Sequence, residues 1–275
     1  DNKLSDGSAC EAGINNCRFT RPVDQSTNFD EVSYQFGGHY LLSEQHTLYS
    51  QYSTGYRAPQ ATELFRLQAG QSVADLKPEQ VDSIELGIRG QTQHFFYDVS
   101  AFAMNKKHFI FQDTDQQNIS NGETSHNGME FAFGYQLPKG FYLKANGTLA
   151  NHSYENSLTL SRENIKGNEI DTAPQHMGSL QLGWRGVQKS KIELEWAHLG
   201  NYCLNPENTA QYKGHNLLNL RASTNINNHW AISARVLNIT NEDYAERADF
   251  GFNSYRYFVG EPRSVFVSLT YEFDH

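Results

Sequence analysis

The chain has 275 residues, enough for one large all-β domain or two small ones. A formal charge of −9 argues against a nucleic-acid partner, which asks for basic patches. Aromatic content is high at 13%, mean hydropathy is polar, and no run approaches the roughly 18 apolar residues of a membrane helix. A helical membrane protein is thereby excluded, whereas a soluble protein and a membrane β-barrel, whose alternating strands average out as polar, both remain.

Residues 1–29 open on Asp1-Asn2-Lys3-Leu4-Ser5-Asp6-Gly7, with no signal peptide, and read as a loop segment. The chain is therefore expected to be a piece whose N-terminal part is missing. Cys10 and Cys17 stand in a stretch rich in Asp, Asn, Ser and Gly, and are expected to close a small disulfide loop in an oxidising compartment. Cys203 lies in a Pro/Asn loop, either free or paired outside this chain.

From about residue 30 to the end, period-two alternation recurs. Ile84, Leu86 and Ile88 oppose Glu85 and Arg89. Leu180, Leu182 and Trp184 oppose Gln181 and Arg185, and Ile192, Leu194 and Trp196 oppose Glu193 and Glu195. Leu218, Leu220 and Ala222 oppose Asn219, Arg221 and Ser223, while Trp230, Ile232, Ala234 and Val236 oppose Ser233 and Arg235. The last strand sets Val265, Val267, Leu269, Tyr271 and Phe273 against Ser268, Thr270 and Glu272. The pattern predicts about eleven strands, each with one apolar and one polar face.

The connections alternate strictly in length. Short turns fall at 43–45, 91–92, 138–140, 187–189 and 227–228. Long loops fall at about 57–78, 112–123, 154–172, 203–213 and 241–261. All tight turns then lie at one end of the sheet and all long loops at the other. That asymmetry belongs to outer-membrane barrels, and a soluble sandwich has no reason to keep it. Aromatics near strand ends fit interfacial girdles.

Three stretches carry a family resemblance. Tyr52-Ser53-Thr54-Gly55-Tyr56-Arg57-Ala58-Pro59 is followed by Glu63-Leu64-Phe65. Leu76-Lys77-Pro78-Glu79 leads into Ser83-Ile84-Glu85-Leu86-Gly87. Val236-Leu237-Asn238-Ile239-Thr240-Asn241 and Asp243-Tyr244 precede Gly260-Glu261-Pro262-Arg263-Ser264. In order and spacing these resemble the TonB-dependent outer-membrane receptors. The resemblance implies the last half of a 22-stranded barrel over residues 30–275, with the plug domain outside this chain. It also implies import of a scarce ligand, foremost a ferric siderophore, with haem, cobalamin or another nutrient as alternatives. The implied partners are an iron chelate, the TonB complex through the missing N-terminal part, and the lipid and lipopolysaccharide of the outer membrane. No catalysis and no resident cofactor are implied. Two departures stand out: Asp274 and His275 follow the terminal Phe273, and residues 60–75 hold no His, where haem receptors of the family carry one.

Candidate ligand contacts follow from residue type. Tyr56 and Arg57 sit at a strand top, where Arg57 either forks onto an anionic chelate or pairs with a carboxylate such as Glu63. Phe65, Arg66, Arg247, Phe250, Tyr255 and Arg256 form loop clusters of aromatic and Arg suited to planar anions, or to packing the loops themselves. Tyr202 and Tyr212 are weighed the same way. The histidines show no metal-ligand spacing, and residues 113–118 lack the Gly and the bidentate Glu of a calcium loop, so no metal site is expected. No nucleophile elbow, phosphate loop or zinc-protease helix appears, which leaves a barrel enzyme and a soluble adhesion sandwich as the rival classes.

Overall fold

The computed structural model describes residues 19–20, 22–65, 67–68, 71–112, 118–156, 159–160, 163–251 and 254–273. Eleven strands build one antiparallel sheet: β1 Tyr34–Ser43, β2 His46–Arg57, β3 Glu79–Gln91, β4 Phe95–Gln112, β5 Asn118–Gln136, β6 Phe141–Tyr154, β7 His176–Arg185, β8 Lys191–Leu199, β9 His215–Asn225, β10 Trp230–Leu237 and β11 Ser264–Tyr271. Each strand pairs with the next in sequence, so the whole sheet is a meander without crossovers. The expected number of strands is present, and short connections alternate with long ones except between β4 and β5, where only residues 113–117 intervene.

The short turns are built as their residues demand. Gln188 and Lys189 both take positive φ, as does Lys139, the conformation that lets a tight turn follow the twist of its strands. Gly140 also has positive φ, and a Cβ there would meet the Arg185 carbonyl. One long loop is shorter than expected. β4 and β5 are 18 and 19 residues long, and Phe109 and Phe111 pair with Gly122 and Ile119 in what the composition marked as loop. The Asn-Gly and Ser residues of 118–123 read as turn chemistry, but ladder pairing opposite Phe109, Phe111 and Gln112 makes them strand. At about 3.3 Å per residue, β4 is roughly twice the length that a bilayer-crossing strand of about 10 residues needs. This hairpin therefore rises well above its neighbours.

Register gathers the two faces. On one, Leu48, Ile88, Val99 and Phe131 form one cross-strand row, and Leu143, Leu182, Leu194, Leu220, Val236 and Val265 another. No described residue covers this face: Leu86 is 62% and Val267 69% exposed. Leaving such a band in water would cost on the order of tens of kcal/mol, at about 1.5–3 kcal/mol per large apolar side chain. Lipid is the solvent that removes the penalty. At the turn end the face closes with aromatics, Phe95 beside Tyr135 and Trp230 beside Tyr271. The other face is polar and self-satisfied, with Tyr142, Ser100, Glu193 and Asn219 all buried.

Candidate ligand-facing surface

Three parts of the polar, loop-side surface can meet a ligand. The first is the lip after β2. Pro59 ends the strand because it has no N–H and pushes Ala58 away from helical backbone. A short helix, Ala61–Phe65, follows, and the Glu63 carboxylate accepts the Gln60 N–H at 2.6 Å. Arg57 forks onto both Glu63 oxygens at 3.0 and 3.1 Å and donates Nε–H to Glu79 at 2.7 Å. Glu79, 3% exposed, also holds Lys106 at 3.0 Å and accepts the Ile110 N–H at 3.0 Å. Burial alone would raise the Glu79 pKa. Arg57, the Ile110 amide and Lys106 outweigh it and bring the carboxyl down to about 2. Arg57 is thus consumed by its own lip, and Phe65 packs under it against Leu64, Leu76 and Ile110. Tyr56 lies opposite Gln80 in the register, on the outward face with Tyr52 and Tyr34, not on the ligand side with Arg57.

The second part is a cap formed by three loops. A hairpin, Ala245–Gly251 with Ser254–Val259, stands over a smaller one, Tyr202–Cys203 with Gln211–Tyr212. Tyr202, Leu204, Ala245 and Ala248 make the core between them. The Tyr202 hydroxyl accepts the Ala248 N–H at 2.9 Å, and the Tyr212 hydroxyl accepts the Ala245 N–H at 3.0 Å. Backbone bonds join the pieces: Thr172 N–H to Cys203 O and Phe250 N–H to Leu204 O, each 2.9 Å. Burial pushes the Tyr202 and Cys203 pKa values up. Asp171 is also pushed up: burial outweighs the bond from the Tyr154 hydroxyl at 2.8 Å, and the nearby Glu207 and Asp249 charges add smaller pushes in the same direction. Tyr202 and Tyr212 are therefore cap-building residues, with Tyr202 only 4% exposed.

On the outer hairpin, Asp249 is clamped between Arg247 Nη2 and Arg256 Nε, both at 2.6 Å. Its Oδ2 has no aligned hydrogen bond, so the Arg247 contact is a charge pair rather than a directed bond. The Arg247 side chain remains 62% exposed. Near the hairpin tip the rings of Phe250 and Tyr255 lie 5.1 Å apart, 39% and 48% exposed. The structure thus brings Arg247, Phe250, Tyr255 and Arg256 onto one element and leaves Tyr56, Arg57 and Phe65 elsewhere. Arg66 and the Cys10–Cys17 pair lie outside the described residues, as do residues 113–117. Cys203 is a free thiol, 1% exposed.

The third part is the inward wall, whose individual residues sequence reasoning did not single out as a network. Tyr142 donates to Glu193 at 2.6 Å, and Lys191 pairs with the same carboxylate at 3.0 Å. Arg221 bridges to Glu195 at 2.8 Å, where Gln181 and Asn219 also donate. Higher on the wall, His126 and His152 meet Nδ1 to Nδ1 at 2.9 Å. Partners here are up to 51 residues apart in sequence, so only the strand register reveals them.

An antiparallel meander with short turns at one end, a bare apolar belt and a self-paired polar wall is the wall of an outer-membrane β-barrel. The model of the TonB dependent receptor-like β-barrel family matches residues 12–239, and the chain belongs to that family. Among curated proteins it is similar to the catecholate siderophore receptor Fiu of Escherichia coli (strain UTI89 / UPEC), 18% identical over 274 residues, which are 96% of this chain and 36% of the relative. The chain thus spans little more than a third of the length of the curated relatives it matches. Among solved structures, the ferric-catecholate import receptor Fiu from K12 E. coli superimposes with a TM-score of 0.75 at 16% identity, covering 98% of this chain and 39% of that one. The ferric yersiniabactin uptake receptor FyuA from Yersinia pestis gives 0.73 at 17% identity, covering 87% and 37%. These likenesses establish the fold, and they are to receptors, not enzymes.

Proposed function

We propose that the whole protein imports a ferric siderophore across the outer membrane, and that the outer hairpin supplies part of the receptor site. The observation that carries this is the exposed Arg247 guanidinium over the half-exposed Phe258 ring, 5.8 Å from its centroid, on a hairpin seated on a prebuilt cap, whose other face carries the exposed Phe250–Tyr255 pair. A guanidinium next to exposed rings suits a planar, anionic chelate through charge and stacking. Holding the hairpin in place beforehand lowers the ordering cost of binding. The similar receptors include ones for catecholate siderophores and for ferric yersiniabactin, which supports the same substrate class. In this reading residues 1–29 belong to an extracellular loop, and the plug and its TonB contact belong to other parts of the protein.

The test is a fluorescence titration of the full-length receptor in detergent against ferric siderophores, haem and cobalamin. Submicromolar quenching by one ferric chelate, weakened at least tenfold by Arg247→Glu, is expected. Quenching by haem alone would replace the substrate class. Silence toward every ligand would refute the uptake reading and leave the barrel wall standing.

A further inference from the structure

The two histidines high on the inward wall stand in a row that the register defines residue by residue. Ser53 pairs with Ser83, Ser83 with Met104, Met104 with His126 and His126 with His152. In a strand, side chains alternate between faces, and register partners share one. Met104, His126 and His152 therefore project from the same polar face, on three adjacent strands. His152 lies three residues beyond Leu149, an outward-facing apolar residue near the loop end of β6. The row is thus on the loop side of the polar face.

The imidazoles are already aimed at each other, Nδ1 to Nδ1 at 2.9 Å, with ring centroids 5.1 Å apart. His126 is held from behind, since its Nε2 lies 3.0 Å from the hydroxyl of Thr124, itself 5% exposed. Metal-ligating histidines are oriented by such a contact on the second ring nitrogen. We propose that His126, His152 and Met104 bind a soft monovalent metal ion, with Cu(I) as its chemical type.

The choice of ion follows from the donors. Two imidazoles and a thioether are neutral and soft, a set that favours Cu(I) over hard cations. None of the residues in the row is a carboxylate. Lys106, two residues along β4 from Met104, adds a positive charge nearby, although its ammonium is engaged by Glu79. That environment penalises a divalent ion more than a monovalent one. Among the described residues no three of His, Cys, Asp and Glu converge as a metal set, and here the third donor is sulfur.

The geometry asks for little movement. Metal–nitrogen bonds of about 2.0–2.1 Å at trigonal or tetrahedral angles place two nitrogens about 3.3–3.6 Å apart, so the rings need to part by roughly half an ångström. The existing hydrogen bond requires one Nδ1 to carry its proton and the other to be bare. Coordination through both moves that proton to the Nε2 of the same ring, with no net proton lost. This inference is independent of the ferric-chelate reading, because it uses neither the hairpin nor the cap.

The experiment is an anaerobic titration of untagged full-length receptor in detergent with Cu(I) held by bicinchoninate, with ascorbate as reductant. One equivalent is expected to leave the competitor. His126→Ala and His152→Asn are each expected to weaken binding at least tenfold. Met104→Leu should weaken Cu(I) and Ag(I) while leaving any Ni(II) affinity unchanged. X-ray absorption on the loaded protein should show nitrogen and sulfur together in the metal's coordination shell. Native heat-modifiability on gels checks that each variant is folded. Equal competition by wild type and a folded His126→Ala/His152→Asn double variant would overturn the site, as would an absorption spectrum without sulfur. Ferric-chelate titrations on the same samples separate this failure from that of the uptake reading.

Discussion

Glu79 is the keystone of the lip, and Glu79→Gln isolates its charge. The substitution keeps the shape and an oxygen that can still accept the Ile110 N–H. It removes the counter-charge for Arg57 at 2.7 Å and Lys106 at 3.0 Å. A carboxyl brought from 4.5 to about 2 corresponds to about 3 kcal/mol at 1.36 kcal/mol per unit. Arg57 and Lys106 are 39% and 26% exposed, so solvent screens part of this, and about 2 kcal/mol is the working figure. That is roughly a 30-fold change in a local opening equilibrium. The assay is amide hydrogen exchange at Glu63 and Leu64, whose N–H groups bond Gln60 O in the helix that Arg57 anchors. Both amides should exchange about 30-fold faster in Glu79→Gln, with Leu220 in the sheet unchanged. A depressed carboxyl contributes stability that is complete above its unfolded value and lost as pH falls through its folded value. The wild-type lip should therefore loosen between pH 4.5 and about 2. The variant should keep only the smaller slope due to Glu63, which Arg57 and the Gln60 amide also hold low against burial. Exchange within twofold of wild type, or a wild-type lip indifferent to acid, would refute the reasoning.

Three further outcomes follow from the cap. Asp171 has the opposite sign: its carboxyl is pushed up, so it favours the folded cap when protonated and loses that contribution as pH rises through its folded value. Asp171→Asn, which can still accept the Tyr154 hydroxyl, should slow exchange of the Thr172 amide at pH 7, and faster exchange would contradict the burial argument. Asp249→Ala leaves two guanidiniums facing each other across the hairpin and should destabilise it by about 1–3 kcal/mol, read as protease nicking within 245–259 while the sheet stays intact. The Cys203 thiol, 1% exposed between Glu169 and Gln211, should resist maleimide in the native receptor and react fully once unfolded; stoichiometric native labelling would mean that the cap opens freely.

The sequence specified the strands because a half-buried strand must alternate, and it specified the topology because loop length alternated with the same regularity. Leu182, Leu194 and Val265 were assigned to an apolar face from local order, and the register put them in one row. It misjudged residues 118–123, where pairing with the strand of Phe109 and Phe111 overrode turn-like composition. Arg57 shows the limit at the site. Its residue type fits a chelate as well as a carboxylate, and only the positions of Glu63 and Glu79 decide. Tyr56 and Arg57 are neighbours in sequence, yet their strand sends them to opposite faces.

What the sequence determined alone was therefore periodic: which segments are strands, which face of each is apolar, which end carries the loops. Periodicity is a local property, fixed by the pleat and by the solvents on the two sides. What only the tertiary structure decided was partnership. Tyr142 with Glu193, Tyr202 with Ala248, and His126 with His152 are meetings of residues 26 to 51 positions apart. A shift of one residue in any strand would send its side chains to the other face and dissolve every one of its cross-strand contacts.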